Sequence, residues 1–262
     1  MSTFLAVLPV IWDQTADPCL TSMLDPRSSL GLAPHEILVV DNTRDGYHAD
    51  GVDIIDGAGR HVMSVSGLPV PVYRDPDGHN LGVAGSWNVG ARQVLERELD
   101  WLVIVSTSML FGPELHTTFR HEVEAHPDAQ IVECAGNSWH LIAIARWTLE
   151  AVGLFDEHYY PAYEESIDWG YRQKLLGLEE QGWPRVWCNA MSVGAAMHVD
   201  RNRWAAPSCP AAPLRAYYEA KWGGPKGEER FVTPFGEEHP LDWWPAVTIP
   251  ELADRYGLEV WW

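Results

Sequence analysis

Between Leu154 and Gly177 the chain reads L-F-D-E-H-Y-Y-P-A-Y-E-E-S-I-D-W-G-Y-R-Q-K-L-L-G, with three carboxylates, Glu164, Glu165 and Asp168, near its centre. Residues three and four apart share a helix face, so Asp168 can meet either glutamate if a helix runs to about Gly177. Acids also suit a helix N-terminus, where the peptide dipoles leave partial positive charge. A capped surface helix would carry the same first-turn acids. The sequence context favours chemistry over a cap. Tyr159, Tyr160, Tyr163, Trp169 and Tyr171 flank the acids, Pro161 interrupts the preceding loop, and Arg172 follows Asp168 by one helical turn. A carboxylate among aromatic rings is partly desolvated, which raises its pKa and makes it a better base. The expected chemistry is proton abstraction.

The rest of the chain must supply a scaffold and a substrate cleft. Phe4 to Ile11 predicts a buried strand, Asp13 to Leu24 a helix closed by Asp25-Pro26, and Glu36 to Asp41 a second buried strand ending at an acid. Val52 to Ile55 and Val70 to Arg74 read as short strands. From Ala84 to Leu99, Trp87, Ala91, Val94 and Leu95 recur at helical spacing. Trp101 to Ser106 predicts another strand, and a helix is expected after Pro113. This alternation implies an α/β fold, a largely parallel sheet with helices on both faces. Ligands in such sheets bind beyond the carboxyl ends of the strands, where Asp41, Arg74 and Ser106 fall. Past Ile131, Gln130 to Ala135 and His140 to Ala145 suggest a hairpin or mixed-sheet segment, and Val186 to His198 has strand character. The Pro-, Trp- and Gly-rich text from Arg201 reads as a C-terminal extension (201–262) wrapping the main domain (1–200).

Composition bounds the function. A chain of 262 residues with 46% hydrophobic content is ordinary for a globular protein. Asp and Glu outnumber Lys and Arg by 37 to 18, a net charge of −19, which argues against a phosphate-tracking nucleic-acid binder or a protein held on anionic lipid. Fourteen tryptophans serve core packing or stacking on a sugar. Cys19, Cys134, Cys188 and Cys209 are scattered with no C-x-x-C pair, against a zinc ribbon and a disulfide framework. The opening F-L-A-V-L-P-V-I-W has no basic n-region and is too short to span a bilayer. The expectation is a reduced, cytoplasmic setting and no membrane span.

Several motifs are excluded by spacing. The run from Gly82, G-V-A-G-S-W-N-V-G, lacks the G-x-G of a dinucleotide fingerprint, and no G-K-[ST] or G-x-S-x-G occurs. His121 and His126 are five apart and would diverge by about 140° on a helix, against a zinc pair.

In order, the chain presents P-V-I from Pro9, E-I-L-V-V-D-N-T-R-D-G from Glu36, N-L-G-V-A-G-S-W-N-V-G from Asn80, D-W-L-V-I-V from Asp100, V-G-L-F-D-E from Val152, and Y-E-E-S-I-D from Tyr163 with Arg172 and Gly177. This succession resembles the inverting family 2 glycosyltransferases of GT-A fold, particularly the rhamnosyltransferase-like branch, over about residues 4 to 200. The resemblance implies a GT-A-like, Rossmann-type nucleotide-binding sheet. It also implies an enzyme that transfers a sugar from a UDP-, GDP- or dTDP-sugar to a hydroxyl on a glycan, lipid or protein, with inversion.

By the same resemblance, Asp41 accepts a hydrogen bond from the donor's nucleobase, and Pro9, Asn80 and Gly82 line the donor cleft. The acids before the last core helix supply the base: Glu165 takes the first position of E-x-x-D, Asp168 the last, and Glu164 is an extra acid upstream. Glu165 is the favoured base and Asp168 the next. The family normally ends the strand matching Trp101 to Val105 in D-x-D, which holds Mn²⁺ or Mg²⁺ against the diphosphate; here Ser106-Thr107-Ser108 stands instead, and hydroxyls are weak ligands for a hard cation. Three readings follow: other metal ligands such as His198, no metal with cationic side chains neutralising the leaving group, or a degenerate GT-A domain that binds a nucleotide-sugar or glycan without turnover. Lys221 and Arg215 are the candidate cations, against a reading as two solvated charges on an amphipathic helix. Trp139 and His140 fall where the family binds its acceptor, although a packed tryptophan fits Trp139 as well. His198 fits a satisfied strand-end residue as well as a metal ligand.

Overall fold

The computed structural model describes residues 2–11, 13–43, 47, 53–55, 61–137, 139–178, 182–192 and 211–258. Strand β1 (Phe4–Val10) is buried at every position but Pro9, which places it inside a sheet covered on both sides. The described strands β2 (Ile37–Asp41), β3 (Asp53–Ile55), β4 (His61–Val65), β5 (Leu68–Arg74), β6 (Trp101–Val105), β7 (Met109–Phe111), β8 (Ile131–Cys134), β9 (Leu141–Ala145), β10 (Arg185–Val186) and β11 (Ala190–Ser192) complete the set. The main sheet runs β10-β8-β9-β6-β1-β2-β5-β4-β3, and β7 pairs with β11 in a small second sheet.

The four central strands β6, β1, β2 and β5 are parallel. On the flanks β10 and β8 are parallel to each other, while β9 is antiparallel to β6 and β8, and β4 is antiparallel to β3 and β5. Only β9 and β4 run against the other strands of the main sheet, which is largely parallel, as the sequence rhythm predicts. The β4–β5 connection is a tight hairpin through Ser66 and Gly67, both at positive φ, and local turns of this kind produce antiparallel neighbours.

Alternate β1 side chains serve two cores, as the strand period demands. Phe4, Ala6, Leu8 and Val10 pack with Ala16, Cys19, Leu20 and Met23 of helix α1 (Asp13–Leu24) and with Phe119 and Val123 of α3 (Phe119–Glu124). Leu5 and Val7 face the other way, onto Ala84, Trp87, Ala91 and Val94 of α2 (Gly82–Glu96). The same side gathers Leu149 and Val152 of α4 (Arg146–Val152) and Trp169 of α5 (Glu165–Leu175). Helix α2 sits tight on the sheet because Gly90 has no side chain: a Cβ there would lie 2.9 Å from Val7 Cβ and 3.0 Å from Leu102 Cδ1.

Two C-terminal helices finish the described structure. Leu214, Tyr218 and Trp222 of α6 (Ala211–Trp222) pack on Tyr159 and Tyr171. Leu252 and Ala253 of α7 (Ile249–Tyr256) pack on Tyr160. Both helices thus press on the loop and helix that carry the acids. Among the described residues no helix is long and apolar enough to cross a membrane.

Candidate functional site

The parallel strands β6, β1, β2 and β5 end on one edge of the sheet, and β8 runs in the same sense as β6. Ser106, Asp41, Arg74 and Cys134 therefore line a common edge. The loop before α5 packs on the start of α2, which follows β5 at this edge. Tyr163 and Glu164 both take positive φ, 77° and 70°, at a cost of about 1–3 kcal/mol each for side chains that disfavour this region. That turn directs Glu165 inward at the first position of α5.

Glu165 is 5% exposed, and its Oε2 has no hydrogen-bond partner. Burial pushes its pKa up to about 8; the Glu164 carboxylate adds to this, against the pull of the Glu165 and Tyr163 backbone N–H groups. Glu164 is different: its carboxylate lies 3.6 Å from the mostly exposed Arg215 guanidinium.

Asp168 is also buried but is saturated. Tyr159 Oη (3.2 Å) and Trp222 Nε1 (2.8 Å) donate to Oδ1, and Arg172 Nε donates to Oδ2 (3.0 Å). Lys221 Nζ lies 2.8 Å from Oδ1. Arg172 spends its other nitrogens on the carbonyls of Val152 and Leu154. Lys221 is fully buried and also donates to Asp156 Oδ2 at 2.7 Å. Burial alone would raise the Asp156 pKa, but Lys221 and His158 hold it well below the usual carboxylate range. Lys221, expected from the sequence to reach a diphosphate, is instead sealed between two aspartates away from solvent.

The acid loop meets the start of α2. Gly82 takes φ +68°, and a Cβ there would fall 2.7 Å from the Pro161 carbonyl oxygen and 3.0 Å from Tyr160; Val83 N–H donates to that same carbonyl. Asn80 Oδ1 accepts from Gly82 N–H at 2.8 Å, while Asn80 Nδ2 is buried without a partner, as is the Tyr160 hydroxyl. Two segments that touch thus carry three orphaned polar atoms, on Asn80, Tyr160 and Glu165. Buried polar groups are normally paired, so among the described residues this junction is a place prepared for a ligand.

Asp41, at the end of β2, has both oxygens in use. Oδ1 accepts from the Thr43 N–H (2.9 Å) and hydroxyl (2.6 Å), and Oδ2 accepts from Tyr47 N–H (2.8 Å) and Arg74 (3.4 Å). Its visible work is to shape the loop after β2. The neighbouring Asn42, to which the sequence reading gave no role, ties the strand end to α2: its amide donates to Ser86 Oγ (2.8 Å) and its carbonyl accepts from Leu81 N–H (2.9 Å). Pro9 is half-buried near the end of β1, opposite Val40.

Beyond β6 lies a cluster of hydroxyls. Ser106 Oγ is 2.9 Å from Ser108 Oγ, which is itself 3.2 Å from both His140 Nδ1 and Ser192 Oγ. His140 keeps one edge in solvent, and burial of the remainder pushes its pKa down. This set offers neutral donors and no carboxylate, a poor match to the oxygen-anion ligands of Mn²⁺ or Mg²⁺. Ser192 was not singled out in the sequence; it joins because β11 pairs with β7. Trp139 is turned inward: it stacks on Trp87 (5.7 Å, 19°) and meets Phe155 and Trp169 edge-on. Its remaining edge opens on a cleft of about 450 Å³ along the outer face of α5, lined also by Ser166, Gly170, Tyr171, Lys174 and Trp183.

Among the described residues, one group has metal-ligand chemistry: Asp75, Asp77 and His79, with ligand-type atoms within 4.8 Å of one another. A local turn accounts for the closeness, since Asp75 Oδ2 accepts from the N–H groups of Asp77 (3.2 Å) and His79 (3.1 Å). His198 lies outside the described residues. The Asp156 network was also missed; its signal was the acid of G-L-F-D-E, quoted above without a role. No protein-family model matches the chain, and no curated protein matches it.

Proposed function

We propose that the chain is a glycosyltransferase of GT-A type that moves a sugar from a nucleotide-sugar to an acceptor hydroxyl with inversion, using Glu165 as general base. The observation that carries this reading is the buried Glu165 carboxyl, unpartnered at Oε2 and pushed up to about 8, where the acid loop touches the start of α2. A carboxylate that accepts a proton near neutrality, with no cation holding it, is what abstraction from a hydroxyl requires. Asp168 has four donors on it and none to release, so it acts as the anchor of α5.

In this reading the donor lies across the strand ends. Asn80 Nδ2 and the backbone at Gly82 bind it, Asp41 and Asn42 shape the loop beside its base, and the Ser106, Ser108, Ser192 and His140 cluster donates hydrogen bonds to the diphosphate. The acceptor hydroxyl approaches the anomeric carbon from the opposite side, Glu165 takes its proton, the C–O bond to the diphosphate breaks as the new C–O bond forms, and configuration inverts. The residues after β6 do not fit a Mn²⁺ or Mg²⁺ site, so no step passes through one.

The test is Glu165→Gln, which keeps size and hydrogen bonding but removes basicity. Donor affinity should stay within about threefold while kcat falls by about 10²-fold or more, the general-base range; Glu164→Gln should do much less. Normal turnover by the Glu165 variant would remove the assignment. A second reading, a non-catalytic nucleotide-sugar or glycan binder, draws on the serines that replace carboxylates after β6. It predicts binding of UDP-, GDP- or dTDP-sugars with neither transfer nor slow hydrolysis.

A further inference from the structure

Strand β8 ends at Cys134, and Cys188 lies two residues past the end of its parallel neighbour β10. Their sulfurs are 3.6 Å apart, and both are free thiols, Cys134 buried and Cys188 half-buried. The backbone fixes this approach: Glu133 N–H donates to the Pro184 carbonyl (2.9 Å) and Ala135 N–H to the Val186 carbonyl (2.8 Å). A disulfide needs an S–S distance of about 2.05 Å, so the two sulfurs must approach by roughly 1.5 Å more for the bond to form. Cys19, by contrast, is buried against Met23 and the Ser106 carbonyl.

We propose that Cys134 and Cys188 are a modification site, a dithiol that closes to a reversible intramolecular disulfide when it meets a peroxide. One sulfur of the pair, as thiolate, attacks a peroxide oxygen; the O–O bond breaks and the departing hydroxide takes up a proton. The second sulfur attacks the resulting sulfenic acid, the S–O bond breaks as the S–S bond forms, and the second thiol proton leaves with hydroxide as water. Two thiols are oxidised and one hydrogen peroxide is reduced to two waters. The pair is prepared for the first step because the two sulfurs share one hydrogen bond, so that one thiol donates to the other sulfur. That bond, aided by Asn137, holds the Cys134 thiol below its usual range and pushes Cys188 up, and thiolate is the reactive form.

The bond has a route to the hydroxyl cluster. Asn137 Nδ2 lies 3.6 Å from Cys134 Sγ while its Oδ1 accepts from Ser192 N–H at 3.1 Å. Ser192 Oγ in turn touches Ser108 Oγ, and Cys188 leads directly into β11. Drawing the sulfurs together therefore shifts Ser192 against Ser108. That this changes donor binding rests on reading the cluster as a diphosphate contact.

The full chain, reduced and freed of reductant, is treated with hydrogen peroxide, then mapped by non-reducing peptide mass spectrometry and tested for UDP, GDP and dTDP binding by calorimetry. The expected result is a Cys134–Cys188 linked peptide in the wild type, reversed by dithiothreitol, and absent from both Cys134→Ser and Cys188→Ser. Persistence of both thiols, or cross-linking through Cys19, Cys209 or a second copy of the chain, overturns the proposal. A nucleotide affinity changed by about fivefold or more in oxidised wild type, but not in peroxide-treated Cys188→Ser, supports the route through Ser192. A disulfide with unchanged affinity overturns that route and leaves the modification standing. Failure of all three nucleotides to bind reduced protein counts against the glycosyltransferase reading and not against the disulfide.

Discussion

Glu165 and Asp168 are one helical turn apart and sit in opposite surroundings. Asp168 has Arg172 and Lys221 against it, whereas Glu165 has burial and a neighbouring carboxylate. The sign of the pH effect follows. A glutamate in the unfolded chain ionises near 4.5, and in the fold Glu165 keeps its proton to about 8. Between those values the unfolded state binds fewer protons, so this residue's contribution to stability falls as pH rises across the window and is fully present only below it. At about 1.36 kcal/mol per pH unit the loss is on the order of 3–5 kcal/mol. Glu165→Gln should therefore match the wild type in stability at pH 4 and exceed it at pH 9, read as denaturant midpoints. Equal midpoints at both pH values would mean that the carboxyl is not held in a desolvating site. If Glu165 is the base of the proposed transfer, turnover should also rise with pH toward about 8, as the base form appears, and a flat profile across that range would count against it. The acids themselves were legible from sequence, because type and helical spacing carry that much. Which one is orphaned was not, because the answer lies with Lys221 and Trp222, more than fifty residues along the chain and invisible to any local pattern.

Helix α6 is joined to α5 by a buried charge cluster that its amphipathic pattern does not announce. Lys221 Nζ bridges Asp156 (2.7 Å) and Asp168 (2.8 Å) with all three side chains sealed from solvent. Removing the cation leaves two buried carboxylates with less compensation, and breaking such a pair costs about 3–5 kcal/mol. Lys221→Met should lower stability by that order in a urea titration, with Arg215→Met, on the exposed side of the same helix, near neutral. A neutral Lys221→Met would show that α6 docks by its apolar face, Leu214, Tyr218 and Trp222, without help from the charges. Other elements were readable closely. Helix α1 runs Asp13–Leu24 as its pattern predicts, and the expected pair after Ile131 is the antiparallel β8–β9. The β4 strand was not read although it is as long as β2, because His61 and Ser64 interrupt the apolar run that marked the buried strands. The predicted run from Val186 to His198 breaks into β10 and β11 as far as Ser192, and its remainder falls outside the described residues.

At the scale of the molecule the dominant quantity is the charge of −19. On the glycosyltransferase reading the ligand is itself an anion, so the field of the chain would oppose its approach while the hydroxyls and backbone N–H groups proposed to bind it would hold it. Screening weakens the opposition: the Debye length falls from about 30 Å at 0.01 M to about 8 Å at 0.15 M. UDP should consequently bind more tightly as NaCl rises over that range, the reverse of proteins that grip phosphate with lysines and arginines. The same reasoning separates screening from coordination. Ser106, Ser108, Ser192 and His140 present no carboxylate to a hard cation, so Mg²⁺ or Mn²⁺ should act through ionic strength alone. A chelator should therefore change nothing in a calorimetric titration of UDP in NaCl, and because UDP itself binds Mg²⁺ and Mn²⁺, the probe for the cation is the chain alone: titration of MgCl₂ or MnCl₂ into ligand-free protein should give no binding heat. A saturable heat there would place a cation on the protein. The next measurement would then be the same titration on a chain carrying Asp75→Asn and Asp77→Asn, the described carboxylates grouped with His79 on the loop after β5.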